Sequence, residues 1–146
     1  GRLVFSQSIG TGSDSFSKAI ATDFNLQPAQ ASQYKMKYGV LPNQQDGGKI
    51  HNSIKPILEV VLNEIRKILG FIDTRLSYGS PQGIFLSGNG ALLPGLPQYM
   101  QSTFQLPVST LDPLNKVKLK GKVEDIRNHI SPMGYSVAIG LGLKEE

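Results

Sequence analysis

Apolar residues recur at helical spacing between positions 50 and 72, and this stripe limits the fold more than any other feature of the sequence. Its members are Ile50, Ile54, Ile57, Leu58, Val61, Ile65, Leu69 and Ile72. The spacing predicts one amphipathic helix of roughly seven turns that is buried along a single face. Pro56 falls inside the run, so we expect it either to kink the helix or to mark its first turn.

Shorter elements are predicted on both sides of this helix. They are a strand over 3–9, helices from Ser13 to Phe24 and from Pro28 to Gly39, strands over 84–86 and 106–111, and a buried helix over 135–143. The spacing of apolar residues changes along the chain between that of helices and that of strands. This order of elements favours an α/β fold in which the last two strands are parallel and joined by a helix. Three strands make a thin sheet, so we expect the chain to be part of a larger fold whose partner strands lie upstream.

The positive charge of the chain is confined to one short segment. The formal net charge of +4 equals the charge of four lysines in this segment, Lys116, Lys118, Lys120 and Lys122. They alternate with Val117 and Leu119, a pattern that predicts an edge strand with one solvent-exposed face. A nucleic-acid-binding protein needs a basic surface of greater extent, so we expect no nucleic-acid partner.

Composition also excludes several kinds of active site. The sequence has no cysteine, which rules out disulfides, thiolate metal sites and a cysteine nucleophile. Its two histidines, His51 and His129, have no plausible serine and carboxylate neighbours in the sequence and are expected to be exposed or to cap helices. We therefore assign no catalytic residue and no metal ligand. No apolar run approaches the length of about 20 residues that a membrane span requires.

Two segments share the order strand, Gly-x-Gly, helix. They are Gly10-Thr11-Gly12 and Gly88-Asn89-Gly90. Glycine permits a ligand to approach the backbone closely, and the helix that follows presents free N–H groups to an anion. The same pattern is more often a plain tight turn, and neither segment completes a dinucleotide fingerprint or a P-loop.

Four segments of the sequence, in the same order, resemble segments of one known protein family. Residues 84–96 (IFLSGNGALLPGL) resemble the adenosine motif of the actin-like ATPases. The other three are 2–12 (RLVFSQSIGTG), 28–39 (PAQASQYKMKYG) and 135–144 (YSVAIGLGLK). Together these four segments span nearly the whole chain, and they resemble the PilM family of type IV pilus assembly proteins, which are actin-like ATPases related to the cell-division protein FtsA.

The resemblance implies the C-terminal part of an actin-like protein. The expected fold is a partial ribonuclease H-like α/β domain with an inserted helical subdomain. Residues 1–12 would be a strand of the sheet subdomain, 13–82 a helix and the inserted helical subdomain, and 83–146 the return to the sheet. The strand at 3–9 would then have an unpaired edge, through which chains could associate.

The same resemblance implies a nucleotide site. The residues it assigns to the adenosine side are Gly12, Lys35, Gly88, Asn89 and Gly90. The full-length protein would bind ATP with magnesium and hydrolyse it weakly if at all. The 146 residues alone are expected neither to hydrolyse ATP nor to hold it tightly. Ser32 replaces the family's ribose-binding acid, and Asn89 replaces the second glycine of the turn.

For function, the resemblance implies a cytoplasmic scaffold, peripheral to the inner membrane, that works with other pilus-assembly proteins. A domain outside these residues would bind the tail of a PilN-like inner-membrane protein. Two alternatives remain open at this stage. One is an FtsA-like protein that tethers a division ring to the membrane. The other is a non-enzymatic interaction domain that has lost nucleotide binding, which the residues at positions 32 and 89 favour.

Overall fold

A computed structural model describes residues 3–75, 79–115, 117 and 131–143 of the chain. The chain divides into two compact units, Gly1–Pro81 and Gln82–Glu146. The assignment of 13–82 to an inserted helical subdomain stays a prediction. No helix in the described ranges is long and apolar enough to cross a membrane.

The first unit contains three helices at the predicted places. They are α1 (Ser13–Phe24), α2 (Pro28–Tyr38) and α3 (Lys49–Arg75). Asn25, with a φ of 50°, ends α1, and Gly39, with a φ of 68°, ends α2. Proline at the first position of α2 has no N–H to leave unpaired and a φ already suited to a helix.

The core of the first unit is apolar and lies where the three helices meet. Its buried side chains are Phe16, Ile20, Ala31, Val40, Ile50, Ile54, Leu58 and Leu62. The stripe predicted from the sequence therefore buries its first half. Pro56 lies inside α3 and does not mark its first turn.

The predicted strand at 3–9 is not formed, which corrects the expectation for the sheet portion of 1–12. β-Formers favour a strand only where another strand completes the hydrogen-bond ladder. None does so here among the described residues. Instead the ring of Phe5 packs 5.1 Å from that of Phe71, at the far end of α3. Self-association through an edge of this segment stays a prediction.

The second unit contains the parallel strand pair that was predicted. Strand β1 (Ile84–Leu86) pairs with β2 (Val108–Thr110), with Ile84 opposite Val108, and α4 (Leu96–Phe104) connects them. In the part of the chain that the structure describes, the sheet has two strands where three were expected. The protein is thus a mixed helix and strand structure.

The last helix differs from its prediction in burial. Helix α5 (Ser136–Gly142) forms, but none of its residues is buried, and Val137 is 78% exposed. An apolar helix is buried only where another element covers it, and no element within 79–115 and 131–143 buries a residue of α5. The predicted lysine edge over 116–122, apart from Val117, and His129 lie outside the described residues.

Candidate functional site

The beginning of α1 is the first part of the predicted site. Gly12 precedes the helix in an extended conformation, with φ at −132° and ψ at −174°. A Cβ at this position would meet no atom within 4 Å. Any residue could therefore adopt this backbone conformation. Glycine differs from other residues in leaving the space in front of the N–H groups of α1 open.

Lys35 on α2 reaches this helix end, so the structure brings two predicted residues together. The Lys35 ammonium donates hydrogen bonds to Ser13 Oγ at 2.8 Å and to the Ser13 carbonyl oxygen at 3.1 Å. Ser13 follows Gly12 directly. Lys35 is only 6% exposed, which is rare for a lysine.

Burial sets the electrostatics of this lysine. Desolvation lowers the pKa of Lys35 below its usual value, and the carboxylate of Asp14 opposes that shift. An ammonium group and free helix N–H groups both attract anions or electron-rich oxygens. The corner formed by Gly12, Ser13 and Lys35 is therefore suited to hold a negatively charged or hydroxyl-rich ligand.

Ser13 is a member of this corner that the sequence did not reveal. Ser13 is the first residue of α1, and its hydroxyl accepts a hydrogen bond from Lys35. Ser32, at the family's acid position, has its hydroxyl 3.3 Å from that of Ser17. It thus joins α2 to α1, and a serine hydroxyl cannot replace the charge of a carboxylate.

The turn after β1 forms the second part of the predicted site. Gly88 has φ at 84° and ψ at 170°, a region that only glycine occupies without strain. Asn89 and Gly90 begin the short 3-10 helix that follows, Asn89–Leu92, and neither has a positive φ. The glycine that this turn requires is therefore Gly88.

The Asn89 side chain contacts the segment before α5. Its Oδ1 accepts a hydrogen bond of 3.3 Å from Ser131 Oγ. A Cβ on Gly134 would lie 3.1 Å from the Asn89 amide group, so the two chain segments approach closely. Asn89 fixes this local packing, a role that its place in a Gly-x-Gly pattern does not indicate. This part of the site belongs to the second unit, whereas Gly12 and Lys35 belong to the first.

Comparison with known proteins identifies the family. The family model described as type IV pilus assembly protein PilM matches residues 1–146. The chain belongs to the PilM family. A PilM chain of similar structure occurs in a solved assembly named the PilM-PilN type IV pilus biogenesis complex. It has 28% sequence identity and a TM-score of 0.69. A search of curated proteins gives no match.

The similarity covers most of this chain but a minor part of the solved PilM structure. It extends over 88% of this chain and 35% of the other. The match is to a pilus protein, in agreement with the predicted family and not with the FtsA-like alternative. This chain therefore spans about a third of the length of that PilM chain.

Other possible sites in the described residues are weaker. His51 Nδ1 lies 2.6 Å from the carbonyl oxygen of Val40, just after α2. The ring is half-buried and its partner lies beyond the end of α2, so His51 is neither exposed nor a helix cap, contrary to the prediction. No group of three metal-ligating side chains occurs in the ranges that the structure describes.

Proposed function

We propose that this chain is the C-terminal, nucleotide-binding part of an actin-like protein that scaffolds type IV pilus assembly. The full-length protein would be cytoplasmic, lie against the inner membrane and bind a PilN-like partner. The family match supports the role in pilus assembly, and the named PilM-PilN complex supports the partner. The ribonuclease H-like fold is part of the proposal.

The observation that supports nucleotide binding is Lys35, a buried residue of α2 whose ammonium group lies against the start of α1. Burying an ammonium group costs free energy unless hydrogen bonds and charge compensate for it. Two bonds to Ser13 and the nearby Asp14 carboxylate compensate in part. A nucleotide hydroxyl group beside Gly12 would add an acceptor at a point where the backbone is open.

In the first unit, the residues proposed to contact ATP with magnesium are Gly12 and Lys35. In the second unit, the residues that the family resemblance assigns are Gly88, Asn89 and Gly90. Lys35 and the N–H groups of α1 fit the polar part of a nucleotide. Gly88, whose backbone conformation other residues avoid, fits a turn that admits a ligand close to its backbone. The bound metal would neutralise phosphate charge, while these residues would bind and orient the adenosine side.

Calorimetry on the full-length gene product tests nucleotide binding. We expect Lys35→Met to weaken ATP binding by about tenfold or more, because a hydrogen bond to a charged group contributes about 1.5–3 kcal/mol. Lys18→Met is the matched control, since Lys18 is an exposed lysine on α1. Equal affinities for the wild type and Lys35→Met would overturn the assignment of Lys35.

The second candidate is an interaction domain that does not bind nucleotide. It is favoured by Ser32 and Asn89, since both depart from the family pattern and both make contacts within their own unit. In the host cell, loss of the gene should abolish type IV pili under either candidate. Restoration of pili by Lys35→Met, together with capture of the PilN-like partner, would favour the interaction domain.

A further inference from the structure

A cleft of about 560 Å³ opens in the first unit between the end of α1, one face of α2 and the beginning of α3. Its apolar walls are Phe24, Leu26, Tyr34, Tyr38 and Ile50. Neither Gly12 nor Lys35 lines it. The cleft is therefore separate from the corner at the start of α1 that is proposed to bind nucleotide.

The aromatic wall of the cleft is ordered but open to solvent. The rings of Tyr34 and Tyr38, one turn apart on α2, stack at 5.8 Å with an interplanar angle of 22°. Tyr34 is nevertheless 42% exposed and Phe24 is 36% exposed. Tyrosine gives a binding surface a large rigid area together with a polar end, which is why it is enriched at protein interfaces.

Two lysines lie at the cleft or beside one of its walls. Lys49 lines it, and the ammonium of Lys37 lies 5.0 Å from the centroid of the Tyr38 ring. Asp46 also lines it, but its carboxylate oxygens accept hydrogen bonds from the backbone N–H groups of Gly48 and Ile50 at the start of α3. Within the described residues, neither lysine forms an ion pair.

We propose that this cleft docks an acidic peptide segment of a partner protein, whose aromatic or leucine side chain enters between Phe24 and Tyr34. Asp or Glu residues beside that anchor would pair with Lys37 and Lys49. A peptide suits the site better than a small molecule, because small-molecule pockets enclose some 70–90% of their ligand. Walls this exposed instead resemble a groove that receives one or two anchors of a longer chain.

Selection from a random peptide library displayed on phage, with the full-length protein as target, tests the proposal. We expect the selected peptides to combine an aromatic residue or leucine with nearby Asp or Glu. A synthetic copy of a selected peptide should lose about tenfold or more in affinity against Tyr34→Ala, by fluorescence anisotropy. Lys49→Glu should weaken it similarly, and added salt should weaken wild-type binding.

These variants are chosen to leave the fold intact. Alanine favours a helix more than tyrosine does, and a glutamate in the first turn of α3 suits the helix dipole. Met36→Ala is the matched control, because Met36 lies on the same helix, is 46% exposed and does not line the cleft. Circular dichroism should show the same helix content in all four proteins.

Three results would overturn the proposal. The first is selection of basic or neutral peptides, or of none. The second is binding that Tyr34→Ala and Lys49→Glu leave unchanged or that Met36→Ala weakens equally. The third is displacement of the peptide by ATP, which would place it at the corner beside Lys35.

Discussion

Lys35 carries its charge at a position where burial opposes it. In the unfolded chain the ammonium group is hydrated, whereas in the folded chain it exchanges water for the hydroxyl and carbonyl of Ser13. Desolvation is the larger effect and lowers the pKa of Lys35 from 10.5, and Asp14 recovers only part of the shift. The folded state therefore releases this proton at a lower pH than the unfolded state does.

A pH dependence of stability follows. Between the folded pKa of Lys35 and 10.5, the unfolded state binds more protons, so the free energy of unfolding gains a positive slope with pH. Lys35→Met should lack this contribution as the pH rises toward 10.5, whereas Lys18→Met should retain it. Urea denaturation at a series of alkaline pH values measures the difference. Parallel curves for the wild type and Lys35→Met would contradict the burial argument.

Gly88 permits a test in which backbone strain is separated from packing. A Cβ at this position meets nothing within 4 Å, yet the φ of 84° is one that other residues avoid. We expect Gly88→Ala to lower the free energy of unfolding by about 1–3 kcal/mol through strain alone. Gly10→Ala is the control, since it has the same open space without a positive φ. Chemical denaturation that shows equal effects for both would contradict this assignment.

At the scale of elements, α3 contains a proline in its interior. Pro56 cannot donate a hydrogen bond to the carbonyl of Asn52, and its ring crowds that turn. Inside a helix, alanine is more favourable than proline by about 3 kcal/mol. Alanine also gives the unfolded chain more conformational entropy, which offsets about 0.4–1 kcal/mol of this gain. We expect Pro56→Ala to raise the free energy of unfolding by about 1–3 kcal/mol in urea denaturation.

Lys55→Ala provides the comparison for this prediction. Lys55 is the exposed neighbour of Pro56, and such a surface change is usually neutral within about 0.5 kcal/mol. A decrease in stability for Pro56→Ala would mean that the bend or the missing N–H at this point is required by the packing of α3.

Helix positions were predictable from the sequence because their signals are local. The spacing of Ile50, Ile54 and Leu58 and the proline at position 28 act within a few turns of chain. Burial was not predictable in the same way. The segment 3–9 and the helix α5 have suitable residues, but a strand needs a partner and a buried helix needs a cover, and both depend on distant parts of the chain.

The residues of the candidate site could be proposed only through resemblance to a family, and their role stays a prediction. The partner of Lys35 is Ser13, which is distant in sequence and adjacent only because α1 packs on α2. Likewise, the contact of Asn89 with Ser131 joins two separate segments of the second unit. Sequence patterns show which residue types recur at short spacing, but they do not show contacts between segments that are distant in the sequence.

At the scale of the whole molecule, the matched PilM chain is far longer than this one, which corresponds to 35% of it. The resemblance to the actin-like ATPases implies that loops of two domains hold the phosphates. The resemblance also implies a phosphate-holding turn with the pattern Asp-x-Gly-x-x-Thr, and that pattern does not occur in these 146 residues. The residues proposed to bind nucleotide are all on the adenosine side.

We therefore expect the 146-residue chain to bind ATP with magnesium no more tightly than about millimolar and not to hydrolyse it. Each missing contact to a phosphate removes about 1.5–3 kcal/mol, and each 1.4 kcal/mol or so is tenfold in affinity. Titration calorimetry on this chain and on the full-length protein measures both affinities. Gly90→Val in the full-length protein should abolish binding by blocking approach to the turn. Micromolar affinity for the 146 residues alone would show that the adenosine side supplies most of the binding free energy.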